Sequence, residues 1–169
     1  MKVTKLGWIA YAIAAVSVLL DQLSKYWILY VFELPARGSV PVAGPLNLTM
    51  VWNQGVSFGL LRADQDLTRW ALAAFAIGVS VVLALWVRKA GRAILACALG
   101  LIMGGAIGNV IDRIRFGAVA DFIDVSALYF PWVFNIADAA INIGIALLLI
   151  DMIRGEKRGT SAHPTEDAA

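Results

Sequence analysis

Between Asn109 and Asn142 the chain carries four carboxylates (Asp112, Asp121, Asp124, Asp138), two arginines (Arg113, Arg115) and the asparagines Asn109, Asn135 and Asn142. They are set between and inside two strongly apolar runs, where ionisable groups are costly and therefore functional candidates. Asp121 and Asp138 stand out as a pair. Two carboxylates held close together in a partly dehydrated site cannot both ionise, so they share one proton near neutral pH. The ionised member can take a proton from water as it attacks a carbonyl, while the protonated member donates to the carbonyl oxygen and then assists the leaving amine. Two aspartates alone are a weak signal, because metal coordination and a proton or cation path also use buried acids.

The rest of the chain must hold that pair at a membrane. Of the 169 residues 60% are hydrophobic and the mean hydropathy is +0.77, well above a soluble fold. A net charge of +2 is too small to argue for nucleic acid, and the basic residues read better as topology signals. The lone cysteine, Cys97, lies mid-span and reads as a buried, inert thiol, which excludes a disulfide framework or thiolate metal site. The single histidine, His163, sits in a polar tail, so no His-based triad or zinc centre is expected.

The first apolar stretch runs from Leu6 to Phe32. No small-residue cleavage site follows it and it is long enough to span about 30 Å, so it is expected to stay as a helix. Asp21 and Lys25, four apart, form an ion pair on one helix face; a salt-bridged carboxylate is a poor general acid, so their role is support. Glu33 to Asp66 is a long connection punctuated by Pro35, Gly38, Pro41, Gly44 and Pro45. Leu48, Met50 and Trp52 alternate with Asn47, Thr49 and Asn53, which predicts a short strand. Asn53-Gln54-Gly55 then makes a turn, and Val56 to Leu61 returns.

The second span is free of charge from Trp70 to Val87, and a basic turn of Arg88, Lys89, Gly91 and Arg92 leads into the third. There Gly100, Gly104 and Gly108 make one smooth face for a close neighbour. In the fourth, Asn135, Asp138 and Asn142 at i, i+3 and i+7 are predicted to face into the bundle, with Asp138 about one and a half turns in. The fold class is an all-α membrane protein. It has one domain over residues 1–155, with four transmembrane helices over about 6–32, 68–88, 93–112 and 132–151, a small extracytoplasmic β element in the first outer loop, and a disordered cytoplasmic tail over 156–169.

Lys2, Lys5, Arg88, Lys89, Arg92, Arg154, Lys157 and Arg158 lie on one side of these spans; Arg37, Arg62, Arg69, Arg113 and Arg115 lie on the other. The positive-inside rule then puts both termini in the cytoplasm. The long loop and the Arg115–Pro131 segment face outward together, so Asp121 and Asp138 can meet at the outer interface. Tyr129, Phe130 and Trp132 suit an aromatic belt at that depth, and the segments around Trp52 and Gly117–Pro131 are expected to clamp above the pair. A transporter using Asp138, Asn142 and Asp21 would need polar groups along the whole membrane depth, which the bare second span does not supply.

Five segments also carry a resemblance. Asp21-Gln22-Leu23-Ser24-Lys25, Asn53-Gln54-Gly55-Val56-Ser57-Phe58, Gly108-Asn109-Val110-Ile111-Asp112-Arg113, Asp121-Phe122 and Phe134-Asn135-Ile136-Ala137-Asp138 resemble, in order, the motifs of the lipoprotein signal peptidases. The resemblance covers all four spans and the long loop. It implies a multi-pass aspartyl endopeptidase of the bacterial inner membrane, with its site at the outer leaflet. The substrate it implies is a prolipoprotein whose cleavage-site cysteine carries diacylglyceryl. No metal or cofactor is expected, membrane lipids are the other partners, and a closed bundle of this size is expected to be a monomer. The resemblance implies that Asp121 and Asp138 are catalytic, that Asn53, Gly55, Asn109, Arg113 and Asn135 line the substrate pocket, and that Asp21 and Lys25 support the first helix. Asp112 is the rival for the second acid, but Arg113 and Arg115 beside it argue for an ion-paired, supporting role. Asp124, which the motifs do not fix, reads as a solvated carboxylate. Ala120 stands where valine is common in the family.

Overall fold

Helix α1 (Lys5–Tyr26) begins where the Thr4 hydroxyl accepts the Gly7 N–H at 3.0 Å, satisfying one orphan donor of the first turn. The same hydroxyl donates to Ala90 O at 3.0 Å, which ties the start of α1 to the turn between the next two long helices. At its far end α1 runs on as a π-helical turn over Trp27–Val31, and a φ of 53° at Glu33 swings the chain into the short α2 (Leu34–Arg37). Then follow β1 (Ser39–Ala43), β2 (Leu46–Asn53), α3 (Gln65–Val87), α4 (Ala93–Phe116), β3 (Val119–Asp124), a 3-10 turn (Ser126–Leu128), β4 (Val133–Phe134) and α5 (Ile136–Thr160). The computed structural model describes residues 2–55, 65–129 and 132–160; Phe130 and the return expected over Val56–Leu61 lie outside the described residues.

Four helical segments, Lys5–Val31, Asp66–Val87, Ala93–Phe116 and Ile136–Arg154, are long and apolar enough to cross a membrane. In α4, 67% of the apolar window is buried, against 22–28% in the others, so α4 is the central post. Glycine makes that possible. A Cβ on Gly100 would lie 2.6 Å from Ala10 O, on Gly104 2.6 Å from the Ser17 Cβ, and on Gly108 2.6 Å from an Asp21 carboxylate oxygen. The expected glycine face is therefore the seat of α1. A neighbouring face, at Gly105, receives the backbone of α5 at Ala137. Towards the end that holds the N-terminus the core is apolar, built from Ala10, Ala14, Leu83, Val87, Leu95, Leu99 and Met103, and an Arg92–Asp151 ion pair at 2.8 Å joins α4 to α5 there. Cys97 is only half-buried.

The opposite end carries an antiparallel sheet in the order β1-β2-β3-β4. Ile28, Leu34 and Phe122 form its buried contact with the bundle, flanked by Leu48, Met50 and Ile136. The β element expected in the first loop thus extends into the second. The segments around Trp52 and after Gly117 are joined as neighbouring strands: Trp52 pairs with Ala120 and Val51 with Asp121 in one ladder. The fourth helix begins at Ile136 rather than near Trp132, because Phe134 and Val133 pair with Ile123 and Asp124 as a strand. At its other end it continues to Thr160, so residues 156–160 of the expected tail are helical. Tyr129 and Trp132 are both exposed at the sheet end.

Candidate active site

Helix α4 stops at Gly117, whose φ of 79° favours glycine and whose N–H closes on Arg113 O at 3.2 Å. The turn sends the chain straight into β3, opposite β2, with Asp121 in the middle of the strand. Asp121 is 1% exposed. The Asn135 amide donates to its Oδ1 at 2.6 Å, and the Asn53 amide to its Oδ2 at 3.0 Å. Burial pushes this carboxyl up to about 6; the Asn53 hydrogen bond opposes the rise, the Asp138 charge adds to it, and the Asn135 hydrogen bond opposes it again.

Asp138 is the third residue of α5, in its first turn rather than one and a half turns in. Asn135 is the cap: its Oδ1 accepts the Asp138 N–H at 2.9 Å, while its own N–H donates to Asp138 Oδ2 at 3.4 Å. Such reciprocal pairing fixes both side chains at the helix start. The Asn109 amide, from α4, donates to Asp138 Oδ1 at 2.8 Å and accepts from the Asn135 amide at 3.3 Å. Asn109 and Asn135 thus lie between the two aspartates and link them. Because Asn135 precedes the helix, helical spacing does not carry its direction along α5. It points inward, whereas Asn142 is exposed, contrary to expectation.

Behind the pair lies a fully buried ionic cluster. Lys25 Nζ is 2.7 Å from Asp112 and 2.8 Å from Asp21. Each acid also holds backbone. Asp21 Oδ1, the oxygen not paired with Lys25, accepts the Ala137 N–H at 3.0 Å, next to Asp138, and Asp112 Oδ2, the oxygen that pairs with Lys25, also accepts the Ala120 N–H at 3.1 Å, next to Asp121. Gln22 Nε2 bridges Asp112 and Asp21 at 3.0 and 3.1 Å, and its Oε1 accepts from Arg115 at 3.4 Å. The cation that pairs with Asp112 is therefore Lys25, not Arg113 or Arg115. Arg113 turns its guanidinium back to Asn109 O at 3.3 Å. Gly55, at φ 81°, donates its N–H to Asn53 Oδ1 at 2.8 Å, which aims the Asn53 amide at Asp121; a Cβ there would strike Leu72, with Arg113 Nη2 next at 3.7 Å.

Asp124 is a correction. It is buried rather than solvated, accepting from Thr49 Oγ1 at 2.7 Å and from the Ser126 N–H at 2.9 Å. The Thr49 hydrogen bond, then those from Ser126, hold its carboxyl below the usual range. It stitches β2 to β3 and makes no contact with the pair. Gln22 and Thr49 are contributors that sequence reasoning left without a role; the only available signals were Gln22 beside Asp21 and the polar phase of β2.

A groove of about 650 Å³ opens beside α5, lined by Asn53, Trp132, Phe134, Asp138, Ile141 and Asn142 among others. Asp138 is thus reached from the flank of a membrane-length helix, while Asp121 lies buried in the interior.

The model of the Signal peptidase (SPase) II family matches residues 13–154. The chain belongs to that family. It is 58% identical over 167 residues to the lipoprotein signal peptidase of Caulobacter vibrioides, covering 98% of each chain. It is 43% identical over 152 residues to that of a Methylobacterium species, covering 89% of this chain and 92% of the relative. Among solved structures, a bacterial membrane enzyme determined at 1.9 Å resolution by the in meso method superposes with a TM-score of 0.75 at 31% identity, covering 89% of this chain and 96% of that one. This member of the family is a peptidase of aspartic type and a multi-pass membrane protein.

Proposed function

We propose that the chain removes the signal peptide from diacylglyceryl-modified prolipoproteins in the bacterial inner membrane, cutting on the N-terminal side of the lipidated cysteine with Asp121 and Asp138 as the catalytic pair. The observation that carries this is the asymmetry of the two acids. Asp121 is buried, held by amides and raised to about 6. Asp138 is only partly buried, sits on the first turn of α5 and lines the groove. Asp121 is then the proton donor and Asp138 the base that meets water in the groove.

Asp138 takes a proton from water as the water oxygen bonds to the scissile carbonyl carbon, and Asp121 donates its proton to the carbonyl oxygen. Collapse of the tetrahedral intermediate breaks the C–N bond. The departing amine of the lipidated cysteine takes a proton from Asp138, and the carbonyl re-forms as the oxygen returns its proton to Asp121. Asn53, Asn109 and Asn135 hold the pair in register, and Gly55, close to Arg113, fixes Asn53 through its N–H. With both termini cytoplasmic, as the basic residues favour, the sheet end lies at the outer leaflet, where a lipidated substrate can enter sideways as a monomeric enzyme's guest. The test is incubation of purified protein with a diacylglyceryl prolipoprotein and its unlipidated form, with the product N-terminus read by mass spectrometry. A lipidated cysteine at the new N-terminus is expected; a cut elsewhere, or equal cutting of the unlipidated form, would refute the reading.

A further inference from the structure

Asn142 is an exposed amide on the flank of a helix that otherwise presents Ile143, Ile145 and Leu149 to its surroundings. It has no side-chain hydrogen bond among the described residues. An unpaired amide facing hydrocarbon is unfavourable, so it needs a polar partner there. It lines the same groove as Asp138 and Asn53, four residues beyond Asp138 on α5. Four residues of helix advance about 6 Å along the axis, away from the sheet and into the apolar part of the bundle. Ile141 and Ile143 flank it, and no charged group lines the groove beyond Asp138.

We propose that Asn142 is a specificity-determining residue whose amide N–H donates to an ester carbonyl of the substrate's diacylglyceryl group. This inference rests on the proposed substrate and deepens it. The lipidated cysteine follows the scissile bond immediately, and a short thioether and glycerol linkage separates it from the two ester carbonyls. With the bond at Asp138 and the acyl chains running along Ile141 and Ile143, the esters come level with Asn142. Esters carry acceptors only, and an amide N–H is the donor they require. The remaining lining at that depth offers contact but no hydrogen bond.

The test compares two synthetic prolipoprotein substrates that differ only in linkage, one with ester-linked acyl chains and one with ether-linked alkyl chains of equal length. Wild type should prefer the ester in kcat/KM by roughly three- to tenfold, the value of one neutral hydrogen bond. Asn142→Leu should lower ester turnover by the same factor and abolish the preference, and Asn142→Gln, which keeps a donor, should recover part of it. Circular dichroism and thermal unfolding check that each variant is folded. Wild type indifferent to the linkage, or equal losses on both substrates in Asn142→Leu, would overturn the assignment of Asn142 while leaving the proposed function standing. Wild type inactive on both would overturn the proposed function and this inference with it.

Discussion

Replacing Lys25 with Met should damage this protein more than replacing either carboxylate that it neutralises. Lys25 is 2% exposed and lies within 2.8 Å of both Asp21 and Asp112, which are fully buried. Its removal leaves two buried acids without a cation. Breaking a buried pair by deleting one partner costs about 3–5 kcal/mol. Asp112→Asn, by contrast, keeps the Lys25–Asp21 pair, and the new amide oxygen can still accept from Ala120 N; a loss of about 1–3 kcal/mol is expected. For a chain of this length about 2–4 °C of melting temperature corresponds to 1 kcal/mol, so Lys25→Met should melt roughly 6–20 °C below wild type in detergent. Because the two acids anchor Ala137 and Ala120, the residues preceding Asp138 and Asp121, the folded fraction of that variant should also cleave slowly. Thermal unfolding followed by tryptophan fluorescence, with turnover per folded molecule, is the assay. A Lys25→Met protein melting within about 2 °C of wild type, or no less stable than Asp112→Asn, would refute the role assigned to the cluster.

Asp121 at about 6 binds its proton more tightly in the native state than in the unfolded chain, so its ionisation weakens folding as pH rises from 3.8 through about 6. In the proposed mechanism the same proton is the one catalysis uses. The kcat/KM profile should be bell-shaped with its alkaline limb set by the pair, and Asn53→Ala, which removes a hydrogen bond that lowers the Asp121 value, should move that limb to higher pH; a flat profile or an unmoved limb would count against the shared proton. Gly105→Ala would push a methyl into the Ala137 carbonyl and to 2.7 Å from Ile141, so α5 must shift; a loss of about 1–3 kcal/mol with reduced turnover is expected in unfolding and cleavage assays. Thr49→Val removes the donor that holds Asp124 and should cost about 1 kcal/mol with little change in kcat, checked by the same two measurements.

Much of this architecture was legible because apolar length and glycine spacing are local signals. The four spans and the Gly100, Gly104, Gly108 face follow from residues read along one helix. The sheet was only half legible: β2 has a clean alternation, but β3 is buried on both faces, and Val119–Asp124 lacks the period of two that reveals a strand. For the same reason Asp121 could be picked as a candidate but not assigned to a strand. Asn142 misled because the face it shares with Asp138 opens on the groove beside α5, whereas Asn135, the cap outside the helix, points inward. The partner of Asp112 was missed because Arg113 and Arg115 are near in sequence, whereas Lys25, from another helix, is near in space.

The central claim is that Asp121 and Asp138 perform the cleavage while Asp112 only supports them. Cleavage of a diacylglyceryl prolipoprotein by purified wild type, Asp121→Ala, Asp138→Ala and Asp112→Asn, each checked for folding, tests it most directly. The account predicts no product from either folded variant of the pair and measurable product from Asp112→Asn. Normal cleavage by Asp121→Ala, with Asp112→Asn folded and dead, would contradict it and move the second acid to Asp112.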